Sequence, residues 1–220
     1  MAKKRHKDPQ PRDLNTAERL GTTGRAVVQG VTHQLRGEHE TQPGARETVS
    51  EQEVERIIAK WPEPQRNVAR QMLDKYGSPN EATPSKLFWY ANGPWKRTDL
   101  SSDVVAHHWP TVHTDFLTQT IDYRVPAELT HLVAMFDGSI LVDRTRGEVA
   151  ARCDSEAANV LGLNMVHEIV TGKRSVNDAR TEYARQIKAM MNKQPAPLTE
   201  RLMFQPMTGR SADPDQPAGM

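Results

Sequence analysis

The chain has 220 residues, a formal net charge of +1 and a hydrophobic content of 36%. This length allows one domain or two small ones, and the near-neutral charge argues against nucleic acid as a partner. The single cysteine, Cys153, excludes an internal disulfide bond and a structural zinc site built mainly on cysteine.

Both ends of the chain are polar and contain many glycines and prolines. Residues 1–47 lack aromatic side chains, and residues 193–220 contain five prolines. Burial in such segments offsets too little of the entropy lost on ordering. We therefore predict a disordered basic arm over 1–47, a single domain over 48–192 and a disordered proline-rich tail over 193–220. Residues 20–35 could form a helix on a partner, and residues 198–204 are the one apolar piece of the tail.

The basic start of the chain is not followed by the apolar core of a secretory signal. No apolar run approaches the ~18 residues that span a membrane. We therefore expect a cytoplasmic location and no membrane partner.

Capping signals and apolar stripes predict two helices at each end of the domain. Ser50 and Ser175 each precede an acidic residue by three positions, which is the capping-box pattern. The predicted helices cover about residues 51–61, 64–76, 154–172 and 175–190. On the third helix, Asn159 falls within the apolar arc, so we expect a buried amide that bonds to the backbone of a neighbouring loop.

Between these helix pairs the apolar period becomes that of strands. Asn92-Gly93 between two aromatic runs predicts a hairpin over 86–98, and alternation predicts a strand over 116–125. A short helix over 126–136 and a second hairpin over 139–153 follow. This order predicts an α+β fold, with an antiparallel sheet of two hairpins plus a strand, covered on one face by helices.

The first hairpin lies in a stretch, residues 88–116, that holds six of the chain's twelve aromatic residues. Alternation puts one set of rings towards the core, and the other face could present a ring beside nearby cations to a ligand. Arg174 precedes a helix start, where free N–H groups bind anions. The predicted ligand-binding residues are Trp89, Trp95, Lys96, Arg97 and Arg174. The alternative is that the rings pack under the helices and the cations are solvated.

Histidines are also dense in this stretch. If residues 113–115 are extended, His113 and Asp115 point the same way, which is a chelating geometry. We therefore predict a divalent metal site built on His107 or His108 together with His113 and Asp115. The alternative is a polar loop rich in histidine. Cys153, between a strand and a helix, is interpreted either as a small core residue or as a nucleophile.

Five segments carry a resemblance to a known family. They are YGSPNEAT (76–83), FWYANGPWKRT (88–98), HTDFLTQTIDYRVP (113–126), FDGSILVDRTRGEVAARCD (136–154) and VTGKRSV (170–176). Through them, residues 71–191 resemble a bacterial protein family for which no activity is known. The resemblance implies a genuine domain in a bacterial intracellular setting, and it implies no cofactor or functional residue.

The sequence leaves two function classes open. The first is a non-catalytic binding module for a protein partner or a small anionic ligand, using the surface between residues 88–97 and 107–115. The second is a metal-dependent enzyme built on the predicted metal ligands. An enzyme needs those ligands within a few ångströms of one another, whereas a binding module needs an exposed apolar patch.

Overall fold

The computed structural model describes residues 13–37, 45–208, 211, 215 and 218. The chain divides into two compact units, residues 1–41 and 42–220. In the first unit, the described residues form a helix, α1 (Thr16–Leu35), in which no residue is buried. Asn15 and Glu18 exchange the two hydrogen bonds of a capping box at its start.

Helix α1 differs from the predicted disordered arm. Its capping box and its own backbone hydrogen bonds form the helix without any burial. The prediction for residues 20–35 named a helix on a partner, and these residues are helical with their large apolar side chains exposed, for example Leu35 at 83%. Residues 1–12 and 38–44 of the predicted arm lie outside the described residues.

The second unit is an α+β domain, as predicted. Its helices are α2 (Glu51–Ile58), α3 (Glu63–Tyr76), α4 (Thr130–Phe136), α5 (Glu156–Val170) and α6 (Val176–Met191). Its strands are β1 (Glu81–Thr83), β2 (Lys86–Asn92), β3 (Trp95–His107), β4 (His113–Asp122), β5 (Ile140–Asp143) and β6 (Glu148–Cys153). They form one antiparallel sheet in the order β1-β2-β3-β4-β6-β5.

The predicted caps act as expected. Ser50 and Ser175 accept hydrogen bonds from the backbone N–H groups of Glu53 and Asp178, and so begin α2 and α6. The first hairpin turns at Gly93, where a φ of +70° favours glycine and an added Cβ would lie only 2.9 Å from the Tyr76 ring. The caps and the turn could be predicted from the sequence because each depends only on residues that are close together in the chain. Together they predicted the order of the elements.

Two strands are longer than predicted. Strand β3 continues to His107 instead of ending near residue 98, and β4 begins at His113 instead of residue 116. The far part of β3 is largely exposed and lacks apolar alternation, so its sequence carries no strand pattern. The histidine segment therefore consists of two strand ends, which carry His107 and His113, and a connecting loop over 108–112, which contains His108.

The helices cover one face of the sheet and form two adjoining cores. Leu87, Leu100 and Leu117 pair across β2, β3 and β4, so all three lie on the same face of the sheet. Helices α2 and α3 pack on this part, while α4, α5 and α6 pack on the part formed by β4, β5 and β6. Tyr76, at the end of α3, touches both cores.

A single carboxylate joins the two cores. Glu156, in the first turn of α5, pairs with Lys75 and accepts hydrogen bonds from the Tyr76 hydroxyl at 2.9 Å, Trp95 Nε1 at 3.1 Å and Gln119 Nε2 at 2.9 Å. Burial raises the pKa of Glu156, but the bonds from Lys75, Gln119 and Tyr76 outweigh it and hold that pKa below its ordinary value. Helix α3, strand β3, strand β4 and helix α5 are thus tied at one point.

Replacing this carboxylate should weaken the domain in a pH-dependent way. Because the folded-state pKa of Glu156 is depressed, its ionised form stabilises the fold above the ordinary value of 4.5, and this contribution is lost as the pH falls. We expect Glu156→Gln to lower the free energy of unfolding by about 1–3 kcal/mol at neutral pH. The difference from the wild type should shrink below the ordinary pKa.

Urea unfolding over a pH series measures this difference. Glu55→Gln is the matched control, because Glu55 forms an exposed pair with Arg70 that contributes at most about 1 kcal/mol. Equal stabilities of Glu156→Gln and Glu55→Gln at neutral pH would contradict the role of Glu156 as a joint.

Asn159 fastens α5 to the sheet from inside the core. Its side chain is fully buried, and Nδ2 donates to the Leu117 carbonyl and to Gln119 Oε1, each at 3.1 Å. The prediction of a buried amide is confirmed, although the backbone partner belongs to a strand. Helix and strand are therefore joined by hydrogen bonds within the apolar core.

We expect Asn159→Leu to lower the free energy of unfolding by about 1–3 kcal/mol, because it removes a donor from buried acceptors. Thermal melts of the variant measure the loss. Asn177→Leu, at an exposed position of α6, is the control and should change stability by less than about 0.5 kcal/mol. A neutral Asn159→Leu would show that these acceptors need no partner.

The segment after α6 packs on the domain, unlike the predicted disordered tail. Leu198, Leu202 and Phe204 contact the core formed with α4, α5 and α6. Asn164 of α5 holds this segment: its Nδ2 donates to the carbonyls of Leu198 and Arg201 at 2.9 Å, and its Oδ1 accepts from Met203 N–H at 2.8 Å. A few apolar side chains and one buried amide thus anchor residues 198–204.

We expect Asn164→Ala to release this segment. Three hydrogen bonds of about 1 kcal/mol each are lost, so cleavage through the opened form should accelerate by tenfold or more. Trypsin cleavage after Arg201, followed by mass spectrometry, gives the rate. Asn192→Ala, exposed just beyond α6, should leave the rate unchanged. Equal rates for both variants would mean that Asn164 does not anchor the segment.

Candidate metal centre

The ends of β3 and β4 bring three predicted metal ligands onto one side of the sheet. His107 pairs directly with His113, and Val105 pairs with Asp115. Directly paired residues share a face, as do residues two apart on one strand. His107, His113 and Asp115 therefore point the same way, on the face that the helices cover.

Their ligand atoms lie close together. His113 Nε2 is 3.2 Å from Asp115 Oδ1, and His107 Nδ1 is 3.6 Å from Asp115 Oδ2. One ligand atom from each of the three residues lies within 4.8 Å of the others. His108, the fourth predicted ligand, is exposed and is outside this group. The end of β3 therefore places His107, and not His108, beside the other two predicted ligands.

Asp115 is the buried centre of the cluster. It is 1% exposed, and its Oδ2 accepts a hydrogen bond from the Ser139 hydroxyl. Its Oδ1 has no hydrogen-bond donor. Two other buried carboxylate oxygens also lack a hydrogen bond: Glu148 Oε1 lies 2.9 Å from Lys96 Nζ, and Asp99 pairs with Arg97 through its other oxygen, as Asp115 does with Arg152. Asp115 differs from both because two imidazole nitrogens flank it, at 3.2 and 3.6 Å. A buried carboxylate oxygen without a donor is costly, so Asp115 Oδ1 calls for a cation.

A hydrogen bond to the backbone determines which nitrogen of His113 carries the ring proton, and so what the nitrogen facing Asp115 Oδ1 can do. His113 Nδ1 is 2.8 Å from the Thr111 carbonyl, which can only accept, so Nδ1 carries the ring proton. In the neutral ring, Nε2 then presents a lone pair to Asp115 Oδ1. That lone pair can accept from the Cys153 thiol, whose Sγ is 3.3 Å away, but an attractive contact with Asp115 Oδ1 at 3.2 Å needs a proton or a metal ion between the two atoms.

Further polar groups surround the three ligands. Asp137 Oδ1 is 3.6 Å from His107 Nε2, Arg152 Nε is 3.9 Å from Asp115 Oδ2, and Cys153 Sγ is 3.3 Å from His113 Nε2. Burial raises the pKa of the Asp137 carboxyl and, with the nearby charge of Asp154, that of the Cys153 thiol. Cys153 in the metal-free protein is therefore a buried thiol and not an activated nucleophile.

Sequence reasoning missed Asp137 and Ser139. Both lie between α4 and β5, 22 and 24 positions after Asp115, and no local motif links them to the histidines. The turn is held by the Ser139 N–H, which donates to Asp137 Oδ1 at 2.8 Å. The Asp-x-Ser sequence before β5 could have indicated the turn, but it does not indicate that Asp137 and Ser139 contact the histidines and Asp115.

The two tryptophans predicted to bind a ligand are core residues. Trp89 and Trp95 are 2% and 1% exposed. The Trp89 indole donates to the Gly77 carbonyl at 2.8 Å, and the Trp95 indole donates to Glu156. This part of the prediction is wrong, because the face that carries the tryptophans is the face that the helices cover.

The predicted ligand-binding cations already have carboxylate partners. Lys96 Nζ lies 2.8 Å from Asp122 and 2.9 Å from Glu148, and Arg97 lies 3.2 Å from Glu148. Arg174, between α5 and α6, pairs with Glu168 at 2.5 Å. These pairs compete with any anion, so the predicted cations do not form a ready anion site.

A cavity of about 400 Å³ lies elsewhere on the domain, lined by residues that include Arg124, Pro126, Glu128 and Arg144. It contains none of the predicted site residues. The size of a cavity does not by itself indicate what the cavity binds. The cluster around Asp115 is therefore the better candidate for a functional site.

In comparisons with known proteins, no family model, curated protein or solved structure matches the chain. The resemblance of residues 71–191 to a bacterial family therefore stays a prediction. Across the described part of the chain, none of the helices combines the length and apolarity needed to cross a membrane.

Proposed function

We propose that this protein binds one divalent transition-metal ion through His107, His113 and Asp115. The observation that carries the proposal is the buried Oδ1 of Asp115, which lacks a donor and faces the lone pair of His113 Nε2 at 3.2 Å. Imidazole nitrogens with a carboxylate suit zinc, iron, cobalt and nickel ions. A metal ion there would satisfy both groups at once.

Outer hydrogen bonds support this role. The Thr111 carbonyl fixes the tautomer of His113, and the Ser139 hydroxyl holds the second oxygen of Asp115. Metal sites use such partners to orient their ligands and to set which ring nitrogen is free. The ligands are therefore pre-oriented before any ion arrives.

The metal site replaces the small anionic ligand as our leading proposal, because the tryptophans predicted for that ligand are buried and its cations are paired. A protein partner and a cytoplasmic location stay predictions. The single cysteine and the exposed apolar side chains of α1 are compatible with them.

Metal content should follow the ligands. We expect the full chain, purified from zinc-supplemented cells, to hold close to one ion per chain by elemental analysis. His113→Gln and Asp115→Asn should lose the ion because each removes one ligand. His108→Gln should retain it, because His108 is exposed beside the cluster without belonging to it. Circular dichroism confirms that each variant is folded.

Thermal melts of the chelator-treated protein give a second measure. Zinc at about 100 times its dissociation constant should add about 2.7 kcal/mol to the free energy of unfolding. A metal-free wild type with no thermal shift for zinc, iron(II), cobalt or nickel ions would contradict the proposal. The charge between His113 and Asp115 would then be a proton.

A further inference from the structure

Cys153 stands beside the three proposed ligands. It ends β6 and pairs with Leu117 of β4, which lies two residues from Asp115 on the same face. Its Sγ is 3.3 Å from His113 Nε2 and 3.7 Å from Asp154 Oδ1, and the residue is 7% exposed. The same nitrogen thus faces the thiol and the donor-less oxygen of Asp115, which is itself 1% exposed.

These spacings match the edges of a tetrahedral metal site. Bond lengths of about 2.0 Å to nitrogen or oxygen and 2.3 Å to sulfur place neighbouring ligand atoms roughly 3.3–3.6 Å apart. His113 Nε2 is 3.2 Å from Asp115 Oδ1 and 3.3 Å from Cys153 Sγ. An ion bound to His113 Nε2 can therefore reach Asp115 Oδ1 on one side and Cys153 Sγ on the other. Cys153 lies outside the group of ligand atoms that are all within 4.8 Å of one another, so the thiol has to move closer to the other ligands to complete a set of four.

We infer that Cys153 is the fourth ligand, and that the site takes zinc as a closed set of His107, His113, Asp115 and Cys153. This inference rests on the proposed metal site. On binding, the S–H bond of Cys153 breaks, its electron pair forms the sulfur–zinc bond, and the proton leaves to solvent. A soft thiolate selects zinc over magnesium, calcium and manganese.

Charge supports the fourth ligand. Two neutral imidazoles, one carboxylate and one thiolate bring two negative charges, which equal the charge of the ion. A neutral buried complex costs less than the singly positive complex that His107, His113 and Asp115 alone would leave. This balance counts the four ligands alone; around them lie two further carboxyl groups, Asp137 and Asp154, and one cation, Arg152, whose Nε is 3.9 Å from Asp115 Oδ2.

The four ligands come from three neighbouring strands: β3 supplies one, β4 two and β6 one. The ladder between β3 and β4 shifts register between Leu100 and Val105 before it resumes at the histidine end. An ion bound by the four ligands would link the ends of β3 and β4 beyond this register shift to β6. A closed set of four protein ligands is the mark of structural zinc sites, whereas catalytic sites keep a position open. The ion therefore fastens the sheet and does not turn over a substrate.

Cobalt(II) titration of the metal-free full chain tests the inference. Because Cys153 is the only cysteine in the chain, a thiolate-to-cobalt charge-transfer band in the near ultraviolet reports on that residue alone. We expect this band together with the intense visible bands of tetrahedral cobalt. In Cys153→Ser the charge-transfer band should vanish, and zinc affinity should fall by at least about 10–100-fold. His108→Gln should behave as the wild type.

The outcomes separate the two proposals. Visible cobalt bands without a charge-transfer band in the wild type would overturn Cys153 as a ligand and leave the site of His107, His113 and Asp115 standing. Absence of any cobalt bands would overturn both. The wild-type spectrum decides even if Cys153→Ser fails to fold, because the band needs no variant for its assignment.

Discussion

The carboxylate of Glu156 is the contact on which the domain's assembly depends. Two cores lie side by side under one face of the sheet, and Glu156 collects donors from Lys75 and Tyr76 on one side and from Gln119 on the other. Without this carboxylate, the fully buried Gln119 amide would lose its acceptor, which costs more than the bond itself contributes, whereas the exposed Lys75 would turn to solvent. The helices at the two ends of the domain therefore close over the sheet as one layer.

Strand β4 connects this joint to the candidate metal centre. Its helix-facing side carries Asp115 near one end and Gln119 towards the other, with Leu117 between them. Polar residues on the buried face of a central strand are tolerated only when each finds a partner. Gln119 finds Glu156 and Asn159, whereas one oxygen of Asp115 finds none among the described residues. This difference between the two ends of one strand supports the proposal of a metal ion at Asp115.

The elements that depend on neighbouring residues were predictable from the sequence. The caps at Ser50 and Ser175, the turn at Gly93 and the buried position of Asn159 each follow from a local pattern, and so does the α+β element order. The His-x-Asp pair was also readable, since alternation alone puts both side chains on one face. The choice between His107 and His108 was not, because it depends on where an exposed strand ends.

The parts that sequence reasoning missed involve contacts between distant residues. Ser139 meets Asp115 across 24 positions, and Asn164 holds residues more than 30 positions later, with no periodicity to indicate either contact. The sequence did not decide whether Cys153 is a core residue or a nucleophile, because the reactivity of a lone cysteine depends on the residues that surround it in the fold. The tryptophans were wrongly predicted to bind a ligand, because their burial depends on the helices packed over them and on distant partners, Gly77 for Trp89 and Glu156 for Trp95.

A crystal of the full chain grown with zinc, measured at the zinc absorption edge, tests the central claim most directly. We expect one anomalous peak where β3 ends and β4 begins, about 2.0–2.3 Å from His113 Nε2, Asp115 Oδ1, Cys153 Sγ and a nitrogen of His107. A structure without that peak, in which His113 and Asp115 share only a hydrogen bond, would contradict it.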